Sequence, residues 1–331
     1  MLCAVSIDLD ESSTPSRFAA AAVPGAGGPP DAHVIALERV DAFSRAHHLP
    51  LTIFVNGRDA EVPAQRVRLR ALGERGHELG CRGLDASFLI ARGSREELRE
   101  QVEGGVERVT LATGYRPRGF RAPGFALSDE LVEVITAAGV EFDSSVFPCP
   151  AFYAARIGSL GLAQLRSVGA RGFASGAGGE SLPRAASGAG GESLPRAASP
   201  FALAAPRRPY RLGRPFWRPG LGLPELPLQV TRRLRLPFMG ATLTLAGPAG
   251  AGWLTQDVLG EPLVNLQLSA LDLLDAEDGL GTFASRALRL RVPKERKLEA
   301  LSVAVEALKK AGYAFVRLGE AADRFASRDA V

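Results

Sequence analysis

The chain has 331 residues, 46% of them apolar and 23% charged, which excludes wholesale disorder and allows a substantial core without disulfides or metals. Forty basic residues against 36 acidic ones give a formal charge of +4, too balanced to point to nucleic acid. No apolar run approaches the roughly 20 residues that a membrane span requires. Cys3, Cys81 and Cys149 are an odd, widely spaced set, which argues against a disulfide framework and fits a reducing compartment. The opening MLCAVSIDLD has no basic segment, long apolar run or cleavage site. Its expected location is cytoplasmic.

Leu2 to Leu9 is apolar and β-branched enough for a buried strand that ends among Asp8, Asp10 and Glu11. After a loop rich in glycine and proline, Val34, Leu37, Val40 and Phe43 predict a helix ending before Pro50. Leu51 to Val55 reads as a second strand, 64–75 as a basic helix stopped by Gly76, and His77 to Cys81 as a third strand. Helical patterns follow at 94–112 and 128–138, the latter opened by Ser128 and stopped by Gly139. Strand alternating with helix through short links predicts a parallel α/β architecture.

The unit SGAGGESLPRAA then occurs twice in tandem, at 175–186 and 187–198. So short a period in two copies is no solenoid, and its composition predicts a disordered surface loop between 1–174 and 199–331. Beyond it come a proline-rich stretch from Arg211 to Pro227, a strand candidate at Thr242 to Leu245 and an apolar strand from Leu263 to Leu268. Leu298, Leu301, Val305 and Leu308 share one face of a final helix. Tyr313 to Leu318 is read as a closing strand.

Asp8 and Asp10 stand at the C-terminal end of the first strand, the edge where parallel α/β folds place active sites. Two carboxylates there divide into a base and a metal ligand, or else simply cap the next turn. His77 is a lone strand histidine, more often a hydrogen-bonded core residue than a ligand. His33, His47 and His48 lie on a helix and its exit, where a solvated role is the default. Arg121 ends a short strand before a turn and suits either a substrate anion or a structural carboxylate.

Taken in order, these segments resemble the carbohydrate deacetylases with the NodB homology domain. The resemblance rests on Ser6-Ile7-Asp8-Leu9-Asp10, on Thr52-Ile53-Phe54-Val55-Asn56-Gly57 and on Gly76-His77-Glu78-Leu79-Gly80. It continues through Gly119-Phe120-Arg121-Ala122-Pro123-Gly124-Phe125, Phe142-Asp143-Ser144-Ser145-Val146-Phe147-Pro148 and the run from Leu263 to Asp278. It implies an α/β fold, a distorted (β/α)7 barrel whose two parts are 1–174 and 199–331. It also implies a hydrolase that removes N-acetyl groups from sugars with zinc or another divalent ion. Such an ion lowers the pKa of bound water and polarises the amide carbonyl.

By that resemblance Asp8 is the base, Asp10 a metal ligand and Arg121 a catalytic-site arginine, with an acetylated sugar or glycan as partner. The two metal-binding histidines are replaced by Arg82 and Ala86, and the histidine acid by Ser269. A guanidinium has no lone pair for a metal, and a hydroxyl does not replace imidazole in proton transfer. The expected cofactor is therefore none, and the expected activity lost or strongly reduced. Cys81 and Asp85 keep the histidine spacing one residue earlier and are the candidates for a rebuilt metal site. A non-catalytic protein binding a glycan or partner is the alternative reading.

Overall fold

The computed structural model describes residues 1–9, 32–85, 90–154, 200–281, 284 and 287–327. The tandem repeat lies outside these residues. The described strands are β1 (Leu2–Leu9), β2 (Leu51–Val55), β3 (Glu78–Cys81), β4 (Gly119–Phe120), β5 (Phe142–Asp143), β6 (Tyr210–Leu212), β7 (Pro219–Glu225), β8 (Leu263–Ser269) and β9 (Ala314–Phe315). They form one curled sheet in the order β6-β7-β5-β4-β3-β2-β1-β8, with β9 beside β1. Every pairing is parallel except β6 with β7. Residues 226–239 bridge the gap from β7 towards β8: Leu226 N donates to Asp143 O, Gln229 N to Asn265 O, and Met239 pairs with Gln267. The result is a curled α/β half-barrel, in line with the architecture that the sequence resemblance implies.

Strand alternation divides the residues into two faces. On β1 and β2, Val5, Ile7, Leu9, Leu51, Ile53 and Val55 face outward, into a core shared mainly with four helices. These are α1 (Ala32–His47), α3 (Pro63–Glu74), α6 (Gly240–Gln256) and α7 (Lys294–Lys310); α2 (Gly57–Glu61) is a single turn after β2. Cys81 and Phe120 face a second core made with α4 (Arg95–Thr113) and α5 (Asp129–Ala137). Ser94 and Glu97 form a reciprocal capping box that starts α4, and the Ser128 hydroxyl accepts from Leu131 N at the start of α5.

The inward face is filled. Phe54 and Phe142 occupy the interior with Ala4 and Leu226. They fit because Gly80 and Gly119 lie beneath them: a Cβ on Gly80 would meet the Phe54 ring at 2.5 Å, and one on Gly119 the Phe142 ring at 2.1 Å. The last helix, α8 (Leu318–Ala326), closes the N-terminal end of the sheet, with Leu318, Ala321 and Ala322 packed on this layer.

Three sequence expectations change. Thr242 to Leu245 is not a strand but the first turns of α6, whose path kinks at Gly247 ahead of Pro248; an apolar run that short does not distinguish the two states by periodicity. The closing strand is only Ala314–Phe315, because Glu320 accepts from Arg317 N and starts α8 there. The proline-rich stretch contains the antiparallel pair β6–β7, an edge position that tolerates proline.

Candidate active site

At the C-terminal end of the sheet β1, β3 and β4 each direct one charged side chain inward. Asp8 is 4% exposed, Arg82 1% and Arg121 0%. Arg121 Nη1 donates to Asp8 Oδ1 at 2.9 Å, Arg82 Nη1 lies 2.7 Å from Oδ2, and Gln267 Nε2 donates to Oδ2 at 3.1 Å. One carboxylate is thus held between two guanidinium groups. Sheet register places them: Arg82 N donates to Val55 O at 3.0 Å, and Arg121 N to Cys81 O at 3.0 Å. Each arginine stands one residue beyond its strand, level with the end of β1.

Arg121 is held on every side. Its Nε donates to Ser144 O at 2.9 Å, Nη1 to Ser6 Oγ at 2.8 Å and Nη2 to Ser144 Oγ at 2.8 Å. Its guanidinium lies 4.2 Å from the Phe54 ring centroid, a cation–π contact. Burial lowers its affinity for a proton, while the Asp8 charge opposes that shift. Burial on this scale is sustained only by pairing and full hydrogen bonding.

Ser269 sits opposite Asp8 in the β1–β8 register. Its hydroxyl donates to Asp272 Oδ2 at 3.0 Å and accepts from Arg289 Nη1 at 2.9 Å. Asp272 Oδ1 accepts from the same nitrogen at 2.9 Å. The position implied for an acid is therefore tied into a cap on the turn after β8. Lys297, on α7, supports that turn by donating to Leu271 O at 2.9 Å and to Leu274 O.

Cys81 and Arg82 point to opposite faces. The Cys81 thiol lies in the outer core, accepts from Gly83 N at 3.2 Å and is pushed by burial to about 12. Asp85 pairs with Arg58 and accepts from Gln101 Nε2 at 3.2 Å. Cys81 thus faces away from Asp8, because strand side chains alternate, and Asp85 is engaged with Arg58 and Gln101; Asp10, the third member of the rebuilt site, is not among the described residues. Among the described residues no group of three histidines, cysteines or acids is placed to hold a metal ion. Among the described residues, a cation on Asp8 would first have to displace Arg82. Asp10 and Ala86 lie outside the described residues.

Residues 32–142 match the family model described as polysaccharide deacetylase. The match covers about a third of the chain, from the start of α1 to the first residue of β5. Among solved structures it is similar to a Mycobacterium smegmatis protein described as a polysaccharide deacetylase, at 15% identity and a TM-score of 0.56, over 99% of this chain and 91% of the other. It is also similar to the Puue allantoinase, at 13% identity and a TM-score of 0.58, over 98% and 90%. At such identities the likeness concerns the fold. No curated protein sequence gives a significant match.

Other residues of the deacetylase motifs serve the scaffold. His77 lies at the opposite end of the sheet, where its Nδ1 accepts from Leu51 N at 3.2 Å and burial lowers its pKa. Glu78 accepts from Thr52 Oγ1 at 2.8 Å and from Gly319 N at 3.0 Å, fastening the start of α8. His33 is buried against Gln65, at 3.1 Å, rather than solvated. His47 bridges to Glu306 and Ser302 at 2.9 Å. Sequence reading missed Gln267, Ser6 and Ser144 as partners of the charged group. The signal for Gln267 was available: Asn265, Gln267 and Ser269 alternate with leucines along β8, so its inward face is polar.

Proposed function

We propose that this chain is a deacetylase-fold protein in which an arginine has taken the place of the metal, leaving a site that binds acetylated glycans without cleaving them. The observation that carries this is the 2.7 Å contact between Arg82 and Asp8, with both side chains almost fully buried. A divalent ion about 4 Å from that guanidinium would meet a repulsion of roughly 8 kcal/mol at an effective dielectric of 20, twice the unit-charge value. That opposes much of the roughly 10–16 kcal/mol available to a complete structural zinc site, and here the implied imidazoles are absent as well. Asp8 accepts two hydrogen bonds, from Arg121 and Gln267, and is ion-paired with Arg82, so abstracting a proton would require breaking that arrangement. Ser269 has its proton directed at Asp272.

The test is acetate release from acetylated chito-oligosaccharides with added zinc, together with calorimetry of the same ligand. The native chain is expected to bind the oligosaccharide and release no acetate. The Arg82→His/Ala86→His/Ser269→His variant is expected to take up metal and gain weak activity, since placement within about 0.5 Å is needed for full rates. Zinc-supported turnover by the native chain overturns the proposal. Failure of the native chain to bind the ligand removes the binding role.

A further inference from the structure

β5 and β7 are joined by a single register pair, Asp143 with Glu225. Neither residue has a role in the site described above, and both are 0% exposed. Asp143 Oδ1 accepts from Ser145 Oγ at 2.8 Å and Oδ2 from Ser145 N at 3.1 Å. Glu225 Oε1 accepts from Val146 N at 3.0 Å. Glu225 Oε2 is buried and faces no donor among the described residues. Two carboxyl groups so placed are stable only when one proton lies between them, and Oε2 is the atom left to carry it, donating to Asp143.

Tyr210 from β6, level with Glu225, and Arg121 from the exit of β4 are the titratable and charged groups that face the pair. Arg82 and Arg121 carry two positive charges; Asp8 and the singly protonated pair carry two negative ones. With the proton the group is neutral. Without it, one negative charge is left uncompensated in the interior.

We propose that the Asp143–Glu225 pair is a proton-held joint between β5 and β7 that loosens as pH rises. The consequence reaches the candidate site. Ser144, next to Asp143, holds Arg121 through its carbonyl and hydroxyl, and that hydroxyl also donates to Leu226 O, beside Glu225. Opening the joint would slacken the wall that fixes Arg121. Burial and the Asp143 charge raise the Glu225 carboxyl well above its ordinary range. The closed joint therefore holds a proton that the open one gives up above the ordinary carboxylate range, and one proton released makes opening about tenfold easier per pH unit.

The experiment is amide hydrogen exchange on the full chain from about pH 5.5 to 7.5, expressed as protection factors so that intrinsic exchange is removed. Protection of Ser144, Val146 and Leu226 is expected to fall about tenfold per pH unit while that of Ile53 and Val55 in β2 holds. Glu225→Gln keeps a donor towards Asp143 without a titrating proton and should make the profile flat; Asp143→Asn serves if that variant does not fold. Equal loss at β2 and β5 would mean that the proton leaves only on global unfolding, which overturns the joint. So would a native profile that is already flat, or one that persists in both variants.

Discussion

Removing the Asp8 carboxylate should destabilise the chain severely, because it leaves Arg82 and Arg121 buried together without their counter-charge. Taking one partner from a buried pair costs about 3–5 kcal/mol. Here two cations lose the same partner, so Asp8→Ala should cost at least the upper part of that range. Against a total stability of about 5–15 kcal/mol, such a loss approaches unfolding. Arg82→Met should behave very differently. It leaves the Arg121–Asp8 pair at 2.9 Å intact and removes the repulsion between the guanidinium groups, so its cost should stay below about 2 kcal/mol. The double variant should recover part of the Asp8→Ala loss, with a coupling of about 1–3 kcal/mol. Urea unfolding at pH 7 followed by circular dichroism, on the native chain and the three variants, completes the cycle. An Asp8→Ala chain as stable as the native one, or an additive cycle, would refute the idea that this carboxylate is the counter-ion of two arginines.

Lys297 has no exposed surface, and burial lowers its pKa to about 8 from an ordinary 10.5. The unfolded chain keeps this proton to higher pH than the folded one, so stability contributed at Lys297 should grow as pH rises from about 8 to 10. Relative to Lys297→Met, the native chain should gain across that window; a flat or falling difference contradicts the assignment. All three cysteines are buried, and burial raises their thiols. Ellman's reagent should therefore label none of them until the chain unfolds, whereas rapid labelling of native Cys81 would show that its side of the sheet is open.

Elements with a strong period were legible. β1, β2 and β3 and helices α1, α3, α4, α5 and α7 fall within a few residues of their sequence assignments, because each has one apolar face and a distinct stop. β4 and β5 are two residues long, too short for any periodicity: β4 is read only as a short strand ending at Arg121, and β5 is not assigned as a strand. α6 was misread because its threonines and leucines suit a strand and Pro248 argues against a helix, although a kink accommodates it. At the site, Asp8, Arg82 and Arg121 were each singled out, as a base, as a lost ligand, and as a contact for either a substrate anion or a structural carboxylate. Their mutual pairing joins three strands, and only the sheet register brings residues so distant in the chain within hydrogen-bonding range. The pairing of Asp143 with Glu225 was hidden for the same reason: it depends on β7, which lies in a stretch read only as proline-rich.

On the proposed reading, Arg82 stands where the deacetylase resemblance puts a metal ligand and supplies the positive charge itself. Zinc content after saturation with zinc and exhaustive dialysis tests it most directly, read by elemental analysis on the native chain and on Arg82→His/Ala86→His. The native chain should retain no zinc and the variant should retain it. One tightly held equivalent in the native chain would contradict it.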